Sequence, residues 1–214
     1  MQIIVYYCKF CREPISAHYD SLMQRLPQRI QDDINRFKTE KGRLHRLIGR
    51  IMLLHIINEN MPDKGILDIE QDRFGRPVLR DGLDFNLSHS GNIVTCAFSQ
   101  GLRLGIDIEL IRDINIQHFK RYMTQTQWDD ISSSNEPLRM FFHYWTLKES
   151  VLKAEGRGLR GGIKGIEIQD DDRVIYGDML WKTKAIQIDD DYACHLTYDY
   201  SEDVGIQLRR FPLF

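Results

Sequence analysis

Two acidic residues stand two positions apart in an otherwise apolar segment, Leu104-Gly-Ile-Asp-Ile-Glu109. In a β-strand, side chains at positions i and i+2 share one face, so Asp107 and Glu109 point the same way. Neighbouring carboxylates repel each other, and burial raises the cost of keeping both charged. A divalent cation that prefers oxygen ligands, Mg²⁺ or Mn²⁺, removes this repulsion. The segment therefore predicts metal ligands, with the acidic outer face of a half-exposed strand as the alternative.

A further acid lies in the segment Trp145-Thr-Leu-Lys-Glu-Ser-Val-Leu-Lys153. Helical spacing places Glu149 and Lys153 on one face, where they could form no more than a stabilising ion pair. In a functional interpretation, Glu149 is a third metal ligand or a general base, and Lys148 or Lys153 contacts phosphate. Mg²⁺ often combines a few protein carboxylates with phosphate oxygens of a substrate. The two segments together therefore predict a metal site that binds a diphosphate.

Ser88 and His89 are adjacent in the segment Asn86-Leu-Ser-His-Ser-Gly91. A nucleophilic serine beside a general base is one interpretation of this pair. Neighbouring side chains on an extended chain point to opposite faces, so His89 is badly placed to activate Ser88. We therefore expect hydrogen bonds from this segment to an anion, and the alternative is a structural histidine.

The elements that must position these residues follow from the spacing of apolar residues. Apolar side chains three or four positions apart predict a helix over about 40–59. A second long helix is predicted over about 138–155, because Gly156 follows its last apolar residue. Residues 66–110 alternate in the manner of strands and turns, and most of 163–211 is predicted as short strands.

The turn at Ser99-Gln-Gly101 divides the chain of 214 residues into two halves of similar length. We predict an α+β fold with an N-terminal half at 1–101 and a C-terminal half at 102–214. The C-terminal half would carry the metal ligands. No sequence repeat relates the two halves.

Composition excludes several classes of protein. A charged fraction of 28%, an apolar fraction of 42% and a net charge of −2 are those of a globular protein without a chain-wide nucleic-acid surface. No apolar run approaches the roughly 20 residues of a membrane span. The first residues lack the pattern of a signal peptide, so we expect a cytoplasmic location. Cys8 and Cys11 form one C-x-x-C, but no second pair completes a zinc site.

Taken in order, the segments FNLSHSG, GIDIE and WTLKESVLK resemble the signature of the Sfp-type 4'-phosphopantetheinyl transferases. That signature is a glycine–hydrophobic–Asp–x–Glu strand followed after about forty residues by an aromatic–Ser/Thr–x–Lys–Glu helix. Forty residues separate Glu109 from Glu149. The turn Phe74-Gly-Arg-Pro77 also resembles a short Gly–Lys/Arg–Pro turn of the family. The resemblance covers roughly residues 36–160.

The resemblance implies two similar α+β halves related by a pseudo-twofold axis, with coenzyme A in the cleft between them. The implied reaction transfers 4'-phosphopantetheine from coenzyme A to a serine of an acyl or peptidyl carrier protein, releasing adenosine 3',5'-bisphosphate. Both halves lie in one chain, so a monomer is implied. No nucleic acid or membrane is expected as a partner.

The resemblance also assigns roles to residues at the matching positions. Asp107, Glu109 and Glu149 would hold Mg²⁺, with Mn²⁺ as the alternative ion. Glu149 would also be the base that takes the proton of the carrier serine. His89 and Lys153 would contact phosphate oxygens and complete the catalytic set.

Coenzyme A itself would be bound by a larger set of residues, mostly cationic. The basic segment 36–50 offers cations for the 3'-phosphate, although its Leu44-His-Arg46 departs from the His-Arg-Ser/Thr of the family. His45 is therefore an alternative counterpart of one of the arginines. The implied coenzyme A contacts are Arg43, Arg46, Arg76, Ser88, His89, Lys148 and Lys153.

Carrier proteins are typically acidic helical bundles. Lys120 and Arg121 could attract such a partner electrostatically, and Tyr122 and Met123 could add an apolar contact. Two other functions remain open at this point, a metal-dependent phosphohydrolase acting on another diphosphate and a non-catalytic coenzyme A or carrier-binding module. The sequence does not identify the carrier, nor whether acyl-coenzyme A is accepted.

Overall fold

The computed structural model describes residues 1–80, 83–158, 162–169, 172–199 and 204–213, with the side chains of 12–16 left aside. The helices are α1 Arg12–Gln24, α2 Gln28–Asn35, α3 Glu40–Asn60, α4 Gln125–Ser133 and α5 Pro137–Glu155. The strands are β1 Gln2–Lys9, β2 Glu70–Gln71, β3 Pro77–Val78, β4 Leu83–Ser90, β5 Ile93–Gln100, β6 Leu104–Leu110, β7 Glu167–Ile168, β8 Arg173–Tyr176, β9 Met179–Ala185, β10 Tyr192–Asp199 and β11 Gly205–Arg210. Short 3₁₀ helices lie at Ile66–Asp68, Ile116–Tyr122 and Ile163–Gly165.

The same arrangement of strands and one long helix occurs twice along the chain. In the first sheet the strand order is β11-β1-β5-β4, and in the second it is β6-β10-β9-β8-β7. Two sets of elements correspond to each other, namely β1, α3, β4 and β5 in the first half and β6, α5, β9 and β10 in the second. In each set, the first strand pairs antiparallel with the last. The second strand of each set then pairs with the third. The predicted α+β class with two similar halves is confirmed.

The two long helices begin and end where the sequence predicts. The Thr39 hydroxyl accepts a hydrogen bond from Gly42 N at 3.1 Å and caps the N-terminus of α3. Pro137 occupies the first turn of α5, and Gly156 follows its end with φ near +90°, a conformation that glycine adopts without strain. The apolar face of α3 packs against the first sheet in the largest core cluster.

The two halves share one apolar core between their sheets. Ile3, Val5 and Ile93 from the first sheet pack in one buried cluster with Ile106 and Leu196 from the second. All five side chains are fully buried. Burial on this scale is the main force that holds the halves together.

Strands β4 and β6 are joined by side chains rather than by a backbone ladder. Alternate side chains of β4 accept hydrogen bonds from alternate N–H groups of β6, which would otherwise be unpaired at a sheet edge. The pairs are Asp84 with Leu104 N at 2.8 Å, Asn86 with Ile106 N at 3.0 Å, Ser88 with Ile108 N at 3.3 Å and Ser90 with Leu110 N at 3.0 Å. These four bonds, here called the side-chain ladder, fix the register of the two sheets.

One strand departs from the division into 1–101 and 102–214. Strand β11 belongs to the C-terminal range but pairs with β1 of the first sheet, in parallel, with Leu208 opposite Val5. The reason is that β1 would otherwise leave a bare sheet edge over the apolar core. Within 163–211, where we predict mostly short strands, β9 ends at Ala185 and the next strand begins at Tyr192. Across the described residues, we find no helix with both the length and the apolar character needed to span a membrane.

Candidate active site

Helix α5 lies directly on strand β6 because β6 contains a glycine at the crossing. A Cβ atom on Gly105 would lie 2.3 Å from Ser150 O and 2.4 Å from Ala154 N, both backbone atoms. Only a residue without a side chain allows this approach. The contact brings Lys153 of the helix within hydrogen-bond distance of Asp107 on the strand.

Asp107 is the most buried of the three predicted metal ligands, with 5% of its surface exposed. Its Oδ1 accepts hydrogen bonds from Lys153 Nζ at 2.7 Å and from Ser88 Oγ at 2.9 Å. Its Oδ2 is buried and has no hydrogen-bond partner among the described residues. A buried, unpaired carboxylate oxygen is costly, so this atom is suited to a cation.

Lys153 connects the helix to both strands at this point. Its ammonium also donates to Ser88 Oγ at 2.9 Å and to Ile106 O at 3.1 Å. The side chain remains 28% exposed. Because its three hydrogen bonds use all three donors of an ammonium, a ligand would bind Lys153 by replacing one of them.

Glu109 and Glu149 complete a group that we call the acid cluster, together with Asp107. Ser90 Oγ donates to Glu109 Oε2 at 2.6 Å, which repeats the Ser88–Asp107 pair two residues further along both strands. Burial, and then the charge of Asp107, raise the pKa of Glu109 although the Ser90 bond opposes the rise. Burial raises the pKa of Glu149 to about 7, and the charges of Asp107 and Glu109 add to this while Lys153 opposes it. The pKa of each glutamate therefore depends in part on the charges of the neighbouring acids.

The acid cluster does not by itself form a metal cage. Within the described part of the chain, no three His, Cys, Asp or Glu side chains are arranged as ligands of one ion. Lys153 provides the positive charge nearest to Asp107 instead. The metal-ligand set Asp107, Glu109 and Glu149 therefore stays a prediction, which the orphan oxygen of Asp107 and the raised pKa values favour.

His89 faces away from the acid cluster, on the other side of β4 from Ser88. Its ring stacks on that of His45 with centroids 4.3 Å apart, and His45 Nε2 lies 3.1 Å from Gly91 O. Burial, followed by the proximity of His45 and Lys153, lowers the pKa of His89 to about 4. His89 is therefore a neutral hydrogen-bonding group at neutral pH. Ser88 and His89 do not contact each other as a nucleophile and its base would.

A cavity of about 230 Å³ lies beside this histidine pair, and we call it the small cavity. Its lining includes His45, Arg46, Arg50, Ser88 and His89. Arg46 is exposed and its guanidinium stacks on the Phe37 ring at 4.6 Å. The sequence had not singled out Arg50, although helical spacing from Arg43 and Arg46 puts it on the same face of α3.

A larger cavity of about 750 Å³ lies next to the small one along α3. We call it the large cavity. Phe10, Leu44, Leu110 and Tyr192 give it apolar walls. Its charged lining residues balance in sign, since Lys9 and Lys41 stand beside Glu40 and Asp191. Leu110 is the last residue of β6 and directly follows Glu109, so the large cavity lies beside the end of this strand.

Lys148 and Arg43, both predicted to contact coenzyme A, are engaged elsewhere. Lys148 is fully buried, and its Nζ donates to Tyr122 O at 3.0 Å and Ile163 O at 3.4 Å. The physical reason is that successive residues of a helix point about 100° apart, so Lys148 cannot share the direction of Glu149. Arg43 Nη1 donates to Phe37 O at 2.9 Å, in the loop before α3.

Arg76 likewise lines neither the small cavity nor the large cavity. Its side chain is buried and forms a bidentate ion pair with Asp84, with both nitrogen–oxygen distances at 2.7 Å. The adjacent Pro77 lines the small cavity instead.

The residues proposed for the carrier surface fall into two groups. Lys120 and Arg121 are exposed on the 3₁₀ helix Ile116–Tyr122. Met123, predicted to offer an apolar contact, is 4% exposed and belongs to the core. It is buried because the segment that follows the 3₁₀ helix turns inward against α4.

A cluster of acids with one lysine, beside a cavity lined by arginine and histidine, defines a two-half α+β protein that handles phosphate groups. Residues 12–101 match a family model described as "4'-phosphopantetheinyl transferase, N-terminal", and residues 103–199 match the "4'-phosphopantetheinyl transferase superfamily". The chain belongs to the 4'-phosphopantetheinyl transferases.

Individual relatives agree with this assignment. The chain is 30% identical over 211 residues to the 4'-phosphopantetheinyl transferase Sfp of Bacillus subtilis (strain 168), covering 86% of this chain and 91% of the relative. It is 27% identical over 199 residues to a second Bacillus subtilis transferase, ffp, covering 86% and 88%. The solved holo-[acyl-carrier-protein] synthase of Thermotoga maritima has 16% identity and a TM-score of 0.38 over 46% of this chain and 63% of that one. That likeness is too low to bear on the site.

Proposed function

We propose that this chain transfers the 4'-phosphopantetheine group of coenzyme A to a serine hydroxyl of an apo carrier protein and releases adenosine 3',5'-bisphosphate. The observation that carries the proposal is the convergence of Asp107, Ser88 and Lys153 within 2.9 Å of one another, beside an arginine-lined cavity. Phosphoryl transfer depends chiefly on positioning and on neutralising charge, and this site offers both.

The residues fit a divalent cation. Asp107 Oδ2 is buried without a partner in the described part of the chain, and burial, together with the charges of the neighbouring acids, raises the pKa of Glu149. In the proposed complex, Asp107, Glu109 and Glu149 hold Mg²⁺ or Mn²⁺. When bound, the ion would neutralise negative charge on the diphosphate.

Glu149 is the proposed base. A bound cation would lower the pKa of Glu149 from about 7 and so favour the ionised carboxylate, which is the form that can take up a proton. Glu149 takes the hydroxyl proton of the carrier serine, directly or through a water molecule. The serine oxygen then bonds to the phosphorus that carries pantetheine, and the bond from that phosphorus to the bridging oxygen breaks. Lys153 donates hydrogen bonds to the phosphate oxygens.

The nucleotide end of coenzyme A is proposed to occupy the small cavity. Arg46 and Arg50 supply positive charge there, and the neutral imidazole of His89 supplies a hydrogen bond. The pantetheine arm would extend past Glu109 into the large cavity, whose Phe10, Leu44 and Leu110 suit its largely apolar chain.

An acidic carrier protein is proposed to bind at Lys120 and Arg121. Lys120 Nζ lies 5.4 Å from the centre of the Trp128 ring, and Arg121 lies 4.7 Å from that of Tyr122. Exchanging both for glutamate should raise the KM for the carrier about tenfold, and leave the KM for coenzyme A unchanged. An equal rise of both constants would contradict this surface.

The same proposal makes the enzyme a cytoplasmic monomer. The large cavity is lined by residues of both halves of a single chain. The acid cluster of the C-terminal half accepts hydrogen bonds from Ser88 and Ser90 of the N-terminal half, so no second copy is needed to bring the two together.

A panel of apo carriers with coenzyme A and Mg²⁺, analysed by mass spectrometry, tests the reaction. Wild-type protein should add phosphopantetheine to a serine of at least one carrier, and Glu149→Gln should not, since it removes the base but keeps the side-chain shape. Release of adenosine 3',5'-bisphosphate in the absence of any carrier would instead identify a phosphohydrolase. Binding of coenzyme A without turnover would identify a binding module.

A further inference from the structure

The guanidinium of Arg76 is bound by three different elements of the fold. It forms the bidentate pair with Asp84 of β4, donates from Nη2 to Leu104 O of β6 at 2.8 Å, and donates from Nε to Lys153 O of α5 at 3.2 Å. Four donor contacts therefore engage a group that has five N–H bonds. The residue is 8% exposed.

These three elements are the ones that carry the site. Strand β4 carries Ser88, β6 carries Asp107, and α5 carries Lys153. Asp84 also accepts a hydrogen bond from Leu104 N at 2.8 Å, which makes it the first step of the side-chain ladder. Arg76 thus stands at the end of the ladder and joins it to the helix.

The end of α5 is built to receive this contact. The last carbonyl groups of a helix have no partner within it, and a cation is favoured there. Arg76 binds the carbonyl of Lys153, and Arg103 binds those of Ala154, at 2.7 Å, and Glu155. A Cβ atom on Gly156 would lie 2.8 Å from Arg103 Nη2 and 3.0 Å from Arg76 Cδ, so the glycine leaves space for both arginines.

A tight turn presents Arg76 to the junction. Asp72 Oδ1 accepts hydrogen bonds from Phe74 N at 2.8 Å and from Arg76 N at 2.9 Å. Gly75, with φ of +87°, takes the left-handed conformation that this turn requires. These contacts hold the backbone of Arg76 in place independently of the contacts that its side chain makes.

We propose that Arg76 is a positioning residue for the transfer reaction, which holds α5 at the place on β4 and β6 where Lys153 and Glu149 meet Asp107. This inference rests on the proposed function. It differs from a direct contact with the nucleotide, because the guanidinium is used within the protein. A lysine could not replace it, since one ammonium lacks the planar fork that binds Asp84 and two carbonyls together.

The test compares Arg76→Lys and Asp84→Asn with wild-type protein and with Arg80→Lys as a matched control. Arg80 is an exposed arginine nearby in sequence that pairs with Glu70 at 2.9 Å. For each folded variant, kcat and the KM for coenzyme A are measured, and the binding of adenosine 3',5'-bisphosphate is measured by calorimetry. Circular dichroism gives the folded fraction.

Arg76→Lys should lower kcat by on the order of 10²-fold, the cost of misplacing reacting groups by about 1 Å. The binding of adenosine 3',5'-bisphosphate should change less than about twofold, and Arg80→Lys should match wild type in both measurements. Asp84→Asn, which keeps an acceptor for Leu104 N but removes the charge, should lower kcat in the same direction and serves if Arg76→Lys does not fold.

Two results would overturn the inference while leaving the proposed function intact. One is an unchanged kcat in the folded variants, and the other is weakened binding of adenosine 3',5'-bisphosphate with kcat retained, as a nucleotide contact would give. Failure of the proposed function is distinct, because wild-type protein would then modify no carrier.

Discussion

Glu149 and His89 lie on opposite sides of strand β4, and their pKa values are shifted in opposite directions. On the face toward α5, burial and neighbouring carboxylates raise the pKa of Glu149 to about 7. On the other face, burial and neighbouring histidine and cationic groups lower the pKa of His89 to about 4. At neutral pH, one face can therefore accept a proton while the other offers a neutral hydrogen bond. Both properties come from desolvation and nearby charge.

Glu149→Gln should abolish transfer and also stabilise the protein freed of metal by a chelator. A carboxyl group with a raised pKa in the folded state contributes stability below its unfolded pKa, and this stability is lost as pH rises toward 7. Glutamine avoids that loss. Chemical denaturation should give the variant an advantage on the order of 1 to 3 kcal/mol at about pH 8, shrinking below about pH 5. An advantage that grows as pH falls would contradict the raised pKa.

His89→Ala should raise the KM for coenzyme A roughly tenfold or more, because a buried hydrogen bond to a charged phosphate is worth about 1.5 to 3 kcal/mol. The ratio of this KM between His89→Ala and wild type should stay constant between about pH 6 and pH 8, since His89 stays neutral well above a pKa of about 4. Steady-state kinetics over this range check both statements. His118→Ala, an exposed histidine outside both cavities, is the control.

At the scale of secondary-structure elements, the sequence predicts those features that depend on a local pattern of residues. Strand β6 and helix α5 were predicted because alternation and helical spacing are local signals, and the α+β class followed from them. The direction of Lys148 could not be predicted, because it depends on how α5 is rotated against β6. That rotation follows from the contact of Gly105 with Ser150 and Ala154, a tertiary fact. The family resemblance assigned Lys148 to coenzyme A from its position in the motif, which carries no information about this rotation.

Gly105→Ala tests whether the contact between β6 and α5 sets the site. A Cβ atom at 2.3 Å from Ser150 O must push the helix away, which should cost about 1 to 3 kcal/mol of unfolding free energy and lower kcat by more than about tenfold. Gly49→Ala in α3 is the matched control for stability. Its Cβ would meet Leu87 at an ordinary 3.5 Å, so alanine should be neutral or stabilising by up to about 1 kcal/mol. Equal destabilisation by both would contradict the argument.

At the scale of the whole molecule, what sequence analysis missed lies in contacts between distant segments. Pairing of β11 with β1 joins residues about two hundred positions apart, and nothing local in either strand specifies it. The side-chain ladder between Asp84–Ser90 and β6 is also a tertiary contact, over a separation of 20 residues, although its polar residues at every second position were visible in the sequence. Such alternation of Asp, Asn and Ser in a buried strand could have been used to predict side-chain hydrogen bonds to a neighbouring strand.

The C-terminal segment should stabilise the N-terminal half, because Phe211 packs between Tyr6 and His55 with ring centroids at 5.7 and 5.4 Å. Phe211→Ala should lower the free energy of unfolding by about 3 to 5 kcal/mol, as expected for a buried aromatic residue that is 5% exposed. Unfolding should remain a single transition, since the two sheets share one core. Leu208→Ala, at a side chain 40% exposed on β11, should stay within about 0.5 kcal/mol of wild type. Denaturation followed by tryptophan fluorescence and circular dichroism distinguishes these cases, and two separate transitions would mean that the halves fold independently.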